Sequence, residues 1–432
     1  MQALWQISQI IRPATIPLTV RTALLVAYHF PPIAGSSGLQ RTLRFAQYLP
    51  EFGWRPVVLS VQPSAYERVD EASLAQIPDG CTVVRTRCLD AARHLSLMGR
   101  YPGFAALPDR WASWRLWGVR AGVRAAREHG ARAVWSTYPI ATAHQIGACI
   151  ARRTGLPWVA DFRDPMAQEG YPADPRRWQA FKHIEETATE QAARLVFVSP
   201  SALEMYRERY PATPAERFAL IENGYDESSF EGLEAPEPTP AGGPLLLLHS
   251  GIVYPSERDP AALFTALGRL RERGAIRPGE FVIRFRAAVH DALLRELADR
   301  HQVAEFVDIA PAIPYREALR EMLAAHALMV MQGDNCNGQI PAKLYEYLRA
   351  GRPILGLADP VGDTGRTLSG LGYPLVTRLE SANDIERNLP EFLERLRQQS
   401  LPVAGQEVYQ RYARRTLAGH LAELLDQVSA PV

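Results

Sequence analysis

Lys343 and Glu346 stand three residues apart in the run Ile-Pro-Ala-Lys-Leu-Tyr-Glu-Tyr-Leu-Arg-Ala-Gly-Arg-Pro-Ile, residues 340–354. At that spacing an α-helix carries both side chains on one face. An ammonium there can neutralise a phosphate as a point charge, and a carboxylate can accept two hydroxyl hydrogens at once. On spacing alone, the same two residues also describe a solvated surface pair. Composition tilts the choice toward chemistry. Of 48 Lys+Arg residues only Lys182 and Lys343 are lysine, and an ammonium and a guanidinium are not interchangeable at a phosphate.

The elements that must position this pair are legible around it. Pro341 marks a helix start, Leu344, Tyr347 and Leu348 form one apolar face, and Gly351 followed by Pro353 ends the helix. Residues 326–331 form an apolar run that predicts a buried strand, and 332–339, with two Gly and two Asn, predict the connecting loop. A helix that starts at a strand's carboxyl end turns its free backbone N–H groups into the crevice where open α/β sheets bind ligands.

The same layout recurs along the chain. Residues 22–30 read as a first strand, and the loop that follows contains Gly35, Ser36, Ser37 and Gly38 before a helix over 39–52. This loop does not fit G-x-G-x-x-G, which argues against a dinucleotide cofactor. A strand over 132–137 leads to a helix with His144 in its first turns. The run 157–165 ends in Asp161, Arg163 and Asp164, three charges at a strand's carboxyl end, which suit either a site or an internal ion-pair cluster. Residues 244–249 read as another buried strand, with Gly251 and Arg258 in the loop after it. Trp111, Trp114 and Trp117 lie three apart among arginines, a pattern of core packing or of an interfacial helix on anionic lipid.

The segment Pro341 to Ile354 resembles the nucleotide-sugar-binding segment of glycosyltransferase family 4, and Asp-Phe-Arg-Asp-Pro at 161–165 resembles a signature of one of its subgroups. The resemblance implies an α/β chain of the GT-B type: two facing Rossmann-like domains with a C-terminal helix crossing back to the first. It implies a retaining, metal-independent glycosyltransferase with no cofactor beyond a nucleotide-sugar co-substrate such as a UDP- or GDP-sugar. Glu346 would hold the ribose, and Lys343 and Arg258 the diphosphate. Gly38, Gly251, Gly338, Ile340, Pro341 and Leu344 would complete the donor site, and His144 would contact the donor sugar, joining Arg258 and Lys343 in the chemistry. Gly35, Ser36, Ser37, Asp161, Arg163 and Asp164 would border the acceptor. The family often has a second Glu where this chain has Gly338.

Composition bounds this reading. At 432 residues, 47% hydrophobic and 22% charged, the chain is an ordinary globular protein long enough for two domains. We expect a first domain over 1–230, a Pro- and Gly-rich linker over 231–243, a second domain over 244–404 and a returning helical segment over 405–432, its last helix spanning about 407–428. Net charge is +1, yet 1–230 carries 26 basic and 21 acidic residues, and within 85–132 ten arginines face three acids. Such a basic face suits an anionic, lipid-linked or glycan acceptor and peripheral contact with an anionic membrane surface; no nucleic-acid partner is expected. Four cysteines without C-x-x-C spacing indicate neither a zinc site nor a disulfide framework, hence a reducing, cytoplasmic setting. No apolar run is long enough to span a bilayer. The rival readings are a non-catalytic sugar-nucleotide-binding homologue and a sugar-nucleotide epimerase of the same architecture.

Overall fold

The computed structural model describes residues 20–35, 38–96, 100–233 and 243–430. Strands β1 (Arg21–Val26), β2 (Trp54–Val61), β3 (Thr82–Thr86), β4 (Ala131–Thr137), β5 (Trp158–Arg163), β6 (Arg194–Phe197) and β7 (Phe218–Leu220) form one sheet in the order 3-2-1-4-5-6-7. Strands β8 (Leu245–Ser250), β9 (Phe281–Arg286), β10 (Val307–Ala310), β11 (Ala327–Met331), β12 (Ile354–Leu357) and β13 (Val376–Thr377) form a second in the order 10-9-8-11-12-13. Neighbouring strands pair in parallel in both.

The strands are continuous apolar runs because helices cover both faces of each sheet. In β1, Leu24 and Val26 enter one core while Ala23 and Leu25 enter the other. In β8, Leu247 and Leu248 divide between two cores in the same way. Strand order reverses beside β1 in the first sheet and beside β8 in the second, so each lobe has a switch-point crevice at its strands' carboxyl ends. Strands β12 and β13 and the helix Ala382–Arg397 were not anticipated; four- and two-residue strands carry too little pattern to read.

The returning segment differs from the single helix expected over 407–428. A short helix, Gln406–Tyr409, is followed by a turn, and the long helix runs Arg414–Ser429. The break has a cause in the segment that follows β7. Tyr225 N–H donates to Tyr412 O at 3.1 Å and Arg414 N–H donates to Tyr225 O at 2.9 Å, so these backbone groups serve a β-bridge instead of a helix. Beyond it, Leu417, Leu421, Leu424 and Leu425 join Leu25, Val58 and Trp135 in the first domain's core, and Asp426 accepts from Trp54 Nε1 at 2.6 Å.

Both chain crossings between the lobes therefore run side by side, and Gly224 permits it. A Cβ at Gly224 would lie 2.0 Å from the Tyr412 carbonyl oxygen, a backbone atom that cannot swing away. Gly224→Ala is expected to destabilise the protein by about 2 kcal/mol or more, within the range for overpacking, read as a lowered thermal midpoint. An unchanged midpoint would mean that the crossings are not held at this separation.

Candidate functional site

The helix Ala342–Ala350 begins one loop after β11, with Pro341 as its first turn's cap residue and Gly351 closing it at φ 64°. Leu344, Tyr347 and Leu348 are buried beneath it, which turns Lys343 and Glu346 to the half-buried face. Leu344 and Ile340 belong to the core under the helix, so any part they take in binding falls to their backbone.

Lys343 lies across Gly251. A Cβ there would sit 2.3 Å from Lys343 Cε, and Gly251 has φ 138°, a conformation that glycine alone takes readily. The strand end is held from below: Ser250 N–H donates to the Tyr347 hydroxyl at 2.9 Å, and His249 Nδ1 is 3.0 Å from Met329 O. Burial depresses the Lys343 ammonium below its ordinary pKa; Glu346 opposes that shift and Arg258 adds to it. Arg258 donates to Ile252 O at 2.9 Å and its guanidinium lies over the Tyr254 ring. Among the described residues neither cation has a carboxylate within ion-pair distance. Two like charges thus converge in a half-buried place, an arrangement that a bound anion relieves. Glu346 accepts from the Tyr315 hydroxyl at 2.7 Å, which fixes one carboxylate oxygen.

The loop before the helix reaches the other lobe. Gln332 Nε2 donates to Cys336 O at 2.8 Å and to Gln339 O at 2.9 Å, which closes the loop on itself. Gly338 O accepts from Ser199 Oγ of the first domain at 2.7 Å, and its Cα faces Ser201. Ser201 in turn donates through N and Oγ to Asp363 at 3.0 and 2.8 Å. Gly338 is therefore a contact between lobes.

On the first domain the candidates separate. Asp161 is fully buried and both its oxygens are taken by Arg41, at 2.7 and 2.9 Å, with Thr137 Oγ1 at 3.0 Å. Of the two readings of that charge cluster, the internal ion pair holds for Asp161. Arg163 and Asp164 are half-buried beside it. Arg163 has φ 61°, and its NH1 donates to Tyr138 O at 3.3 Å; burial pushes the Asp164 carboxyl up, with Arg163 acting against it.

His144 corrects the expectation of a crevice-facing histidine. Its ring is wholly buried against Phe162 and Trp158, with Nδ1 2.8 Å from Ser136 Oγ, and burial lowers its pKa to about 3. The ring is thus packed into the first domain's core and is not exposed at the crevice. His29, just past the end of β1, is the histidine at the strands' carboxyl edge; burial, with Arg163 second, lowers its pKa to about 4. It escaped notice because the apolar run around it reads as strand interior. Gly38 opens the first helix and Gly35 borders a pocket beside His29, whereas Ser36 and Ser37 lie outside the described residues.

Residues 38–224 match the family model of the glycosyl transferase 4-like domain. This stretch is a glycosyl transferase 4-like domain. The complete fold is GT-B, and solved structures of similar shape cover both lobes of this chain. Sucrose-phosphate synthase from Thermosynechococcus elongatus superposes with TM-score 0.64 at 15% identity, covering 94% of this chain and 99% of that one. HepE from Anabaena, in complex with UDP and glucose, gives 0.63 at 14% identity, covering 94% and 100%. MnaA of S. aureus with UDP gives 0.52 at 10% identity, covering 94% and 96%. No curated protein matches the chain in sequence.

Glu222, which the sequence did not single out, sits where linker and lobes meet. Burial, with Asp363 second, raises its carboxyl to about 7 from an ordinary 4.5. A folded-state pKa above the unfolded one favours the fold at low pH, and this contribution is lost as pH rises from about 4.5 through about 7. Glu222→Gln should therefore raise the thermal midpoint at pH 8 more than at pH 5. An equal shift at both would show that Glu222 ionises normally.

Proposed function

We propose that this protein transfers a sugar, with retained anomeric configuration, from a nucleotide-sugar donor to a hydroxyl of a glycan or lipid-linked acceptor, in the assembly of a polysaccharide or glycoconjugate precursor. The observation that carries the proposal is Lys343 lying over Gly251 at the start of its helix with Arg258 close enough to act on its charge, two cations with no carboxylate within ion-pair distance among the described residues. That is the arrangement a diphosphate needs. Glu346, one turn on and steadied by Tyr315, stands where an acceptor for ribose hydroxyls is useful. Similarity in fold to HepE and MnaA, whose structures contain UDP, supports a uridine-type donor.

In the reaction, the bond from the sugar's anomeric carbon to the diphosphate oxygen breaks and a bond to the acceptor oxygen forms. The acceptor's hydroxyl proton passes to the departing phosphate. The barrier lies in the negative charge gathering on the leaving group and the oxocarbenium-like charge left on the sugar. Lys343, Arg258 and the backbone N–H groups at the helix start stabilise the former because they are fixed before the charge appears. The positive charge comes from the chain, so the proposal calls on neither a metal nor a further cofactor. Arg163, Asp164 and Gly35 border the acceptor side. Exposed Phe104 and Leu116, at 79% and 68%, in the arginine-rich stretch support peripheral contact with anionic lipid on the cytoplasmic membrane face; among the described residues no helix is long and apolar enough to cross a membrane.

Lys343→Ala and Glu346→Ala test the donor site. Each should weaken UDP binding by about ten- to a hundredfold, the worth of one charge-assisted contact, seen as a smaller UDP-induced rise in thermal midpoint. Transfer from a labelled nucleotide sugar should fall at least as far. Wild-type UDP binding retained in both variants would sink the assignment.

Gly251→Ala supplies an independent check, since its Cβ would displace Lys343. It should weaken UDP binding about as much as Lys343→Ala, and the double variant should be no worse than either single one. Additive losses would show that the two positions do not act as a unit.

A further inference from the structure

A second cavity, about 420 Å³, opens at the carboxyl ends of β1 and β2 on the first domain. Its walls include Tyr28, Gly35, Tyr66, Arg68, Arg110 and Trp111. The three aromatic rings brace one another: Tyr28 lies 5.0 Å from Trp111 and 5.4 Å from Tyr66 between centroids. Tyr66 is fixed further through its hydroxyl, which donates to Tyr28 O at 2.9 Å. Tyr28 and Tyr66 are 3% and 4% exposed and back the half-buried Trp111, whose free ring surface, held this rigidly, suits the C–H face of a sugar ring. Trp111 Nε1–H is buried and has no acceptor among the described residues.

The charges in the pocket are unequal in status. Arg110 is neutralised twice, by Glu67 and by the buried Asp90. Arg68 has no carboxylate within ion-pair distance among the described residues, and its guanidinium lies over Gly35, where a Cβ would be 2.7 Å from NH2. Its backbone is nonetheless tied down. Ala34 N–H donates to Arg68 O at 3.0 Å and Asp70 N–H to Pro32 O at 2.8 Å, so Arg68 and the glycine loop form one unit. A fixed backbone, an unbalanced guanidinium and an aromatic wall meet at the same strand edge that carries His29.

We propose that this pocket holds the acceptor, and that the acceptor's recognised part is a sugar ring bearing a carboxylate or phosphate, its anion on Arg68 and its ring against Trp111. The inference rests on the glycosyltransferase reading of the cleft. It goes further by assigning the acceptor a charge and a place.

Ligand-observed NMR on the full chain tests it with three probes: glucuronic acid, a hexose phosphate and glucose. At least one charged probe should bind about tenfold or more tightly than glucose, the effect of one charge-assisted contact, and whichever charged probe is tighter identifies the anion. Arg68→Ala, an exposed change that leaves the core intact, should erase the preference while leaving the UDP-induced thermal shift untouched. Equal binding of all three probes, no binding of any, or a preference that survives Arg68→Ala would overturn the proposal. A wild-type chain that ignores UDP yet prefers the charged probe would retain the pocket's anion preference and overturn the donor reading alone.

Discussion

The buried Arg41 guanidinium holds the first helix to the segment that leaves the first sheet. Arg41, 3% exposed, gives two hydrogen bonds to Asp161 and one each to the carbonyl oxygens of Ile221 and Glu222. It thereby joins the first helix, the end of β5 and the segment that leaves the first domain. Burying both charges is costly, and full hydrogen bonding on each side is what makes the pair tolerable. Removal of either partner would strand the other. The direction in which the chain enters the second lobe, and with it the shape of the cleft, depends on this pair remaining complete.

The second lobe answers with small residues and not with charge. Gly251 lets the Lys343 side chain lie directly on the backbone, and Gly365 lets the start of the Asp363 helix approach the Asp359 carbonyl, where a Cβ would be 2.1 Å away. At both places the requirement is for backbone to come close to something else. The ammonium is therefore placed by the absence of a side chain beneath it as much as by the helix that bears it.

Much of this was legible in the sequence. The two-lobed α/β layout follows from repeated apolar runs with small-residue loops behind them, and the Lys343–Glu346 spacing places both on a helix face as read. What sequence could not supply was direction in the first domain. Asp161 and Asp164 are three residues apart at the same strand end, yet one is sealed inside and the other half-buried. Only Arg41, 120 residues away along the chain, decides which. His144 and His29 show the same thing, because helix register under a sheet sets which histidine is enclosed, and register depends on distant neighbours such as Ser136 and Phe162. The split in the final helix was equally hidden, since its cause lies in Tyr225.

The Gly338 carbonyl and the Asp363 carboxylate both rest on the serines at the end of β6. Asp363 is 1% exposed, and its remaining partner, Arg366, is on its own lobe. Parting the lobes along this edge would break both Ser201 bonds to Asp363 and the Ser199 bond to Gly338. Ser199 and Ser201 therefore fix the glycine loop and the start of the Asp363 helix against one short segment of the first lobe, so that a change at either serine would be felt by both elements of the second.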